Sequence, residues 1–237
     1  MSTAYIFCPS NILNKEKIEI PVSSNHANHA DYTDCKDNGN VCIYIAADSG
    51  IATAIKLNIT PNVLIGDFDS ADLPGLKQKY KTCEDLKIIE YPSEKDDTDL
   101  MLAVKYSLEN GYKNINIIGG LDGRIDHTLV NLFYLKYIKN HGGTGYITDG
   151  HNKISYLANS TVKIQKKFKY ISIIPISPEI RGVTLINFKY PLNGATVRFE
   201  EPYTVCNEIS NDFEYGEIII SNGEALICEC DDFKYML

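Results

Sequence analysis

Val63-Leu64-Ile65-Gly66-Asp67-Phe68-Asp69-Ser70 is the stretch that decides the fold of this 237-residue chain. Three aliphatic residues in a row, placed after the helix breaker Pro61, predict a short strand that is buried on both faces. Two aspartates follow at once, so an acidic turn ends the strand. The carboxyl ends of strands are where open α/β sheets bind ligands. The stretch therefore predicts a parallel sheet together with the position of its site.

The same arrangement continues on both sides of this stretch. Apolar runs that predict strands lie at 5–8, 41–46, 87–91 and 114–118. Helical patterns lie at 50–57, at 97–109 with Asp97 or Thr98 as the cap, and at 126–139. Strands that alternate with helices are typical of βαβ units. We expect an α/β, Rossmann-like domain with a mainly parallel sheet over residues 1–152, interrupted by a polar surface connection at 23–40.

The second half of the chain has a different pattern. Short β runs separated by Pro, Gly and Asn-Gly turns occupy 161–165, 169–174, 183–187, 195–199, 216–220 and 224–230. A helix of normal length is not predicted there. The pattern is typical of an all-β sandwich, and we assign it to residues 153–237.

Charge and composition narrow the classes of function. The chain has 23 Lys and Arg against 31 Asp and Glu, a net charge of −8, so we expect neither nucleic acid nor an anionic membrane as a partner. No apolar run is long enough to span a bilayer and the start does not read as a signal peptide, which predicts a cytoplasmic protein. The seven scattered cysteines suit reduced thiols, and Cys228 and Cys230 fit small apolar strand residues better than a metal site.

Acidic residues follow several of the predicted strands. Asp67 and Asp69 have the spacing of two carboxylates that chelate one hard cation. A second acidic turn, Lys95-Asp96-Asp97-Thr98-Asp99, opens a predicted helix, and a third, Asp48-Ser49-Gly50, follows the strand at 41–46. Helix capping explains one or two of these acids, but adjacent carboxylates repel one another unless a cation lies among them. The pattern indicates a Mg²⁺ site.

A glycine-rich turn completes the set. Gly119-Gly120-Leu121-Asp122-Gly123-Arg124-Ile125-Asp126-His127 offers flexible backbone amides and an Arg that can form a fork with two phosphate oxygens. The chain has no Walker P-loop, no dinucleotide-binding glycine motif and no nucleophile elbow. A carboxylate-held metal with one Lys and one Arg is the equipment for phosphoryl or pyrophosphoryl transfer.

In this order, the four motifs resemble those of the thiamine pyrophosphokinase family. The segments Lys169–Pro175, Phe188–Leu192 and Cys206-Asn207-Glu208 are similar to the family's C-terminal signature, with Cys206 where the family has Ser. The resemblance covers roughly residues 41–232. It implies a catalytic α/β domain, a thiamine-binding and dimerising β-sandwich, a homodimer, Mg²⁺, and transfer of pyrophosphate from ATP to thiamine with release of AMP.

The resemblance also implies roles for individual residues. Asp67, Asp69 and Asp99 would bind Mg²⁺ and, with Arg124, would be the catalytic residues. The residues that would bind ATP and its phosphates are Asp48, Ser49, Gly50, Ser70, Lys95, Asp96, Thr98, Gly120 and Arg124. Those that would contact thiamine are Asp126, His127, Cys206 and Asn207.

Two alternatives remain open from the residues alone. The chain could be a nucleotide- or thiamine-sensing module that keeps the fold, although a sensor needs neither a metal cage nor an Arg for the transition state. It could also be a pyrophosphokinase for another small alcohol, because the shape of the pocket determines the acceptor.

Overall fold

The computed structural model describes residues 2–21, 36–37, 40–68 and 86–232. The chain divides into two compact units, Met1–Asp149 and Gly150–Leu237. The sequence placed this boundary between residues 152 and 153. The predicted connection at 23–40 lies largely outside the described residues, which include only 36–37 and 40 of it.

The first unit is built on parallel strands. These are β1 (Thr3–Phe7), β3 (Asn40–Ala47), β4 (Val63–Gly66), β5 (Lys87–Glu90), β6 (Asn114–Ile118) and β7 (Thr144–Thr148), and the two-residue β2 (Lys36–Asp37) pairs antiparallel with β3. Within this unit the order is β7-β6-β1-β3-β4-β5, with every neighbouring pair parallel. The chain runs outward from β1 to β5 and then returns to the other side of β1 as β6. The crevice beside β1 is therefore the switch point at which such sheets bind ligands.

In the described part of the chain, three α-helices accompany this sheet: α1 (Ile51–Lys56), α2 (Asp99–Glu109) and α3 (Ile125–Asn140). Short 3-10 helices lie at Lys15–Lys17 and Asp48–Gly50. Thr98 is the N-cap of α2, and its hydroxyl accepts a hydrogen bond from Met101 N at 3.2 Å. One of the two caps that the sequence allowed is thus confirmed. The strands of this unit carry a buried aliphatic core that includes Ile6, Leu64 and Ile117, all fully buried.

The second unit consists of two antiparallel arrays. The first has the order β10 (Tyr170–Pro175), β14 (Glu224–Cys230), β8 (Asn152–Ala158). The second has the order β12 (Leu192–Arg198), β11 (Glu179–Ile186), β13 (Tyr215–Ile219), β9 (Thr161–Gln165). One apolar cluster joins residues of both arrays, among them Ile173 and Ile227 from the first and Val183 and Ile218 from the second. Two sheets that share a core in this way form a sandwich.

The predicted fold class is confirmed, and three of the described strands were missed. β2, β7 and β8 received no prediction, although β7 extends the parallel sheet beyond β6. Gly145 interrupts the apolar pattern of β7, and a Cβ there would lie 1.8 Å from the carbonyl oxygen of Ile115. Only glycine allows this close approach to β6, and glycine also weakens the sequence pattern that predicts a strand.

The cysteines also differ in part from expectation. Cys8, Cys206, Cys228 and Cys230 are free thiols, as the sequence predicts. Cys42 forms a disulfide, so the expectation of a fully reduced chain is wrong at that residue. Disulfide geometry depends on which chain segments approach one another, and the spacing of cysteines does not reveal that. None of the helices in the described ranges is both long and apolar enough to cross a membrane.

Candidate active site

A cavity of about 400 Å³ opens at the carboxyl ends of the strands in the first unit. Its walls come from β1, β3, the start of α2, the glycine-rich turn and α3. The lining residues are Cys8, Pro9, Ala47, Asp48, Thr98, Asp99, Leu100, Gly120, Asp122, Arg124, His127 and Asn131. Six of these were predicted from the sequence as site residues: Asp48, Thr98, Asp99, Gly120, Arg124 and His127. The parallel sheet thus assembles segments that are far apart in the chain.

The conformation of the turn after β4 is fixed by the burial of its aromatic residue, Phe68. Phe68 is 4% exposed and packs with Ala46, Ile51 and Leu64. Its φ of 54° is in the left-handed region, which is costly for a bulky side chain and persists only where packing enforces it. Burial of this ring leaves the neighbouring Asp67 at the end of the strand. Asp69 and Ser70, also predicted for the site, lie outside the described residues.

Lys95 connects the first two acidic motifs. Its Nζ lies 3.2 Å from Asp67 Oδ2 and 2.8 Å from Asp99 Oδ1. The side chains of Lys95, Asp67 and Asp99 are 13%, 17% and 24% exposed, so the three charges are largely shielded from water. Burial opposes the ammonium, but the contacts with Asp99 and Asp67 outweigh it and raise the pKa of Lys95. Two carboxylates from different strand ends therefore share one cation.

The electrostatics of Asp99 reflect this crowding. Burial raises the pKa of Asp99, the Lys95 ammonium lowers it, and the nearby charges of Asp48 and Asp67 raise it further, so the pKa lies above its usual value. Asp48 is thus electrostatically close to the pair. The three acidic motifs of the sequence converge, as their positions at strand ends predicted.

The carboxylate of Asp48 is placed by an unusual backbone. Its φ is 47°, and a Cβ on Gly66 would lie 3.1 Å from Asp48 Cα, so the glycine allows β4 to end directly against this residue. Asp48 Oδ1 is buried and has no hydrogen-bond partner among the described residues, whereas Asp99 Oδ1 faces the Lys95 ammonium at 2.8 Å. A buried carboxylate oxygen without a donor is unusual in a folded protein and fits the oxygen ligand of a hard cation.

The remaining acids of the second motif have other positions. Asp97 pairs with Lys105 of α2 at 2.5 Å, whereas Asp96 is exposed. Ser49 and Gly50 belong to the short 3-10 helix that begins at Asp48. Neither Asp96 nor Asp97 lines the cavity. Of this motif, Asp99 thus lies with Lys95, whereas Asp97 pairs with Lys105 on α2 and Asp96 is exposed.

The glycine-rich turn packs closely on the segment after β1. Gly119 has a φ of +92°, and a Cβ there would lie 2.6 Å from Ser10 Cβ and 2.8 Å from the Cys8 carbonyl oxygen. Only glycine combines this conformation with this approach. Asn11 N donates to Asp122 Oδ2 at 2.8 Å, which ties the tip of the turn to the same segment. The turn is therefore held at its base and at its tip.

Arg124 and Asp126 form a pair at the start of α3. Arg124 Nε lies 3.1 Å from Asp126 Oδ1, and Arg124 Nη2 contacts Asp126 Oδ2, which makes the contact bidentate. Hydrogen bonding to Arg124 lowers the pKa of Asp126. The side chains are 74% and 58% exposed, so the pair is weak and easily exchanged. The Arg124 side chain therefore lines the cavity and is paired with the carboxylate of Asp126.

Several residues that line the cavity were not predicted for the site. Cys8 and Pro9 follow β1, and the rule that ligands bind at strand ends could have found them. Asn131 lies four residues after His127 in α3, where helical spacing places it on the same face. Burial, followed by the charges of Asp122 and Asp99, raises the pKa of Cys8 to about 12. Cys8 is therefore a neutral part of the wall at physiological pH.

The predicted residues of the second unit lie on one bend. Cys206 is exposed, its φ is 56°, and its backbone N–H donates to Ser172 Oγ at 3.0 Å. Asn207 is 7% exposed, and its Oδ1 accepts from Tyr190 N at 3.1 Å and Glu208 N at 2.9 Å while its Nδ2 donates to Tyr190 O at 2.8 Å. The Asn207 amide thus fixes the bend to the segment that carries Tyr190.

A small cavity of about 100 Å³ adjoins this bend. Its lining is mainly apolar and aromatic: Leu185, Tyr190, Leu192, Tyr203, Thr204, Val205 and Asn207. Tyr190 and Tyr203 are 60% and 58% exposed, which leaves two phenol rings open for contact with a flat organic group. This surface has the character of a binding site for an organic molecule.

The metal prediction can be compared with the geometry of the described residues. Among them, no group of three or more His, Cys, Asp or Glu side chains has the arrangement needed to hold a metal ion. Asp67, Asp99 and the buried Asp48 oxygen supply ligands of the chemistry that Mg²⁺ prefers. The predicted set also includes Asp69, outside these residues. The donor chemistry fits the cation.

Comparisons with known proteins agree with the motif order. A family model described as the catalytic domain of thiamin pyrophosphokinase matches residues 26–146, and one described as its vitamin B1 binding domain matches residues 159–226. A thiamine pyrophosphokinase of Bacillus subtilis is 35% identical over 170 residues, which cover 70% of this chain and 78% of that protein. Thiamin pyrophosphokinase 1 of Caenorhabditis elegans is 26% identical over 189 residues, 75% of this chain and 73% of that protein.

Solved structures show the same fold. The crystal structure of thiamine pyrophosphokinase from Bacillus subtilis matches with a TM-score of 0.78 and 26% identity, covering 98% of this chain and all of that one. Thiamin pyrophosphokinase from Candida albicans has a TM-score of 0.68 at 16% identity, covering 97% and 89% of the two chains. Together with the clustered carboxylates and the glycine-rich turn, these matches show that the chain belongs to the thiamine pyrophosphokinase family.

Proposed function

We propose that this chain transfers the terminal pyrophosphate of ATP to the hydroxyethyl oxygen of thiamine and releases AMP. Membership of the family supports this reaction. The observation that carries it is the convergence of Asp67, Asp99 and Asp48, from three strand ends, beside a cavity that also holds Arg124. Phosphate chemistry in an acidic protein needs such a local cation site, since the overall charge of −8 repels ATP.

The proposed residues have distinct tasks. Asp67 and Asp99, together with Asp69, would hold Mg²⁺, which neutralises charge on the phosphates when bound. Lys95, Thr98 and Arg124 would contact the triphosphate. The further ATP contacts proposed from the sequence are Asp48, Ser49, Gly50, Ser70, Asp96 and Gly120.

The chemical step is a substitution at the β-phosphorus. The hydroxyl oxygen of the acceptor forms a bond to that phosphorus and gives up its proton to solvent water. The bond between that phosphorus and the oxygen bridging the α- and β-phosphates breaks, so AMP leaves with this oxygen and the electron pair. Arg124 can donate two parallel hydrogen bonds to phosphate oxygens once it releases Asp126. Because both side chains of the Arg124–Asp126 pair are exposed, replacing Asp126 by a phosphate as the partner of Arg124 costs little free energy.

Thiamine binding is assigned to four residues. Asp126 and His127 lie at the start of α3, and Cys206 and Asn207 lie on the bend of the second unit. Asp126, once free of Arg124, presents a carboxylate to a cationic acceptor. In the second unit the exposed rings of Tyr190 and Tyr203 support contact with an aromatic molecule.

We also propose a homodimer in the cytoplasm. On α3, Ile125, Leu129 and Phe133 are spaced by four residues and are 71%, 50% and 56% exposed, so this helix presents an exposed apolar face among the residues that the structure describes. Four cysteines of the described residues are free thiols, which supports a reducing compartment, whereas the disulfide of Cys42 does not. Sedimentation at micromolar concentration should give about twice the 26.6 kDa chain mass, and a fully active monomer would refute the dimer.

Analysis of the nucleotide product tests the reaction. We expect AMP and thiamine diphosphate in equal amounts when the protein is incubated with ATP, Mg²⁺ and thiamine, and neither product after chelation of the metal. ADP as the sole nucleotide product would refute pyrophosphoryl transfer. AMP formed only with another alcohol would preserve the reaction type and exclude thiamine as the acceptor.

A further inference from the structure

Lys95 occupies a position that a phosphate-binding lysine does not require. A lysine that only awaited a triphosphate could extend into the cavity, yet Lys95 does not line it. Its ammonium instead lies 3.2 Å from Asp67 Oδ2 and 2.8 Å from Asp99 Oδ1. These are two of the three carboxylates proposed as metal ligands.

The three side chains are shielded enough for this contact to matter. They are between 13% and 24% exposed, in contrast to the 74% and 58% of Arg124 and Asp126. Electrostatic attraction is weak at the surface and grows as water is excluded. Without a cation, Asp67, Asp99 and Asp48 would repel one another. Lys95 therefore does part of the work that a divalent cation would do.

We propose that Lys95 is the resident counter-ion of the metal-binding carboxylates, and that it competes with the divalent cation for Asp67 and Asp99 until a nucleotide is present. This inference rests on the proposed function for its metal ligands. The oxygens that face the ammonium cannot turn the same lone pairs toward a metal ion, and the two positive charges repel each other at this distance.

The nucleotide shifts the competition between Lys95 and the divalent cation, because its phosphate oxygens offer the Lys95 ammonium alternative hydrogen-bond acceptors. When the ammonium moves to a phosphate oxygen, both carboxylates become available to the cation that arrives with the same nucleotide. Metal and nucleotide then bind as a pair, and the free protein keeps its carboxylates neutralised without metal. Lys95 thus acts as a positioning residue that determines the order of loading.

Metal affinity in the absence of nucleotide tests the proposal. Mn²⁺ is a suitable probe because free and bound ions are distinguished by electron paramagnetic resonance. We expect Lys95→Met to bind Mn²⁺ about ten-fold or more tightly than the wild-type protein, since it removes a positive charge within a few ångströms of the ligands. Lys95→Arg keeps the charge and should keep the weak affinity.

Lys105→Met is the matched control. Lys105 forms an ion pair with Asp97 at 2.5 Å, but its partner is not a proposed metal ligand and both side chains are about one-third exposed. Its Mn²⁺ affinity should stay within about two-fold of wild type. Equal or weaker binding by Lys95→Met than by wild type, including no detectable binding by either protein, would overturn the proposal.

Loss of stability in Lys95→Met would not obscure the result. If the variant is destabilised, Mn²⁺ should restore its melting temperature, because a ligand that binds the folded state stabilises it. A melting temperature that does not respond to Mn²⁺ contradicts the proposal. Neither measurement uses turnover, so a protein that forms no AMP but shows this affinity change refutes the proposed function and leaves the competition intact.

Discussion

The two units of the molecule hold their candidate site residues by different forces. In the first unit, Asp67 and Asp99 are held by the charge of Lys95 and by their positions at strand ends. In the second unit, Asn207 is held by three hydrogen bonds between its amide and backbone groups. The difference teaches that the charges of the first unit are placed to serve a ligand, whereas the amide of the second unit joins two backbone segments and is part of the fold.

The largest expected effect is in the first unit. Asp99→Asn should lower turnover by about a hundred-fold or more, because loss of groups that merely support a metal ligand already costs 10–100-fold. The circular dichroism spectrum should remain unchanged. Asp97→Asn is the control, since Asp97 pairs with Lys105 and should leave turnover within about two-fold. Turnover of Asp99→Asn near the wild-type value at saturating Mg²⁺ would remove Asp99 from the metal site.

Substitution of Asn207 in the second unit should lower stability, in contrast to substitution of Asp99. Asn207→Ala removes three hydrogen bonds at a buried position and should lower the free energy of unfolding by about 1–3 kcal/mol. The KM for thiamine should rise as the Tyr190 segment loosens, while the KM for ATP stays constant. Chemical denaturation and steady-state kinetics measure these two quantities.

Lys189→Met sharpens this contrast within the second unit. Lys189 pairs with Glu208 at 2.9 Å, but its side chain is 52% exposed, so its loss should lower the free energy of unfolding much less than loss of the Asn207 amide. If Lys189→Met lowered the free energy of unfolding more than Asn207→Ala does, the charge of Lys189 rather than the amide of Asn207 would stabilise this part of the fold.

The partly buried thiol of Cys228 in the second unit is expected to make stability depend on pH. Burial, and then the charge of Cys230, raises the pKa of Cys228 from 9.0 to about 12. Above pH 9 the unfolded chain loses this proton while the folded chain keeps it, so stability falls as pH rises toward 12. The contribution approaches about 1.4 kcal/mol per pH unit. Cys228→Ala should reduce the slope of unfolding free energy between pH 9 and 10.5, and Cys8→Ser, which removes a buried thiol of the first unit, should act in the same direction.

The smallest expected effect concerns Cys206. A hydroxyl donates a stronger hydrogen bond than a thiol, so Cys206→Ser should lower the KM for thiamine by about two- to five-fold. The free energy of unfolding should change by less than about 0.5 kcal/mol, since the side chain is exposed. An unchanged KM would indicate that the Cys206 side chain makes no polar contact with the acceptor.

Much of the site was predictable because its parts are local. The turn at Gly66-Asp67, the Thr98 cap and the glycine-rich turn each lie next to an apolar run with a recognisable period. β7 was missed because Gly145 is required by a contact with β6, and that requirement is invisible within the strand itself. The contact of Asn11 with Asp122 was not predictable for a similar reason, since it spans 111 residues of chain.

The sequence by itself determined the alternation of strands and helices, the switch to β structure in the second half, and the acidic ends of several strands. These features depend on the spacing of neighbouring side chains, which the order of residues states directly. The tertiary structure decided which charges meet: β3 and β4 lie side by side, Lys95 reaches both Asp67 and Asp99, and Arg124 turns to Asp126. Such pairings depend on strand order, on burial and on competition among nearby acids, all of which exist only once the chain has folded.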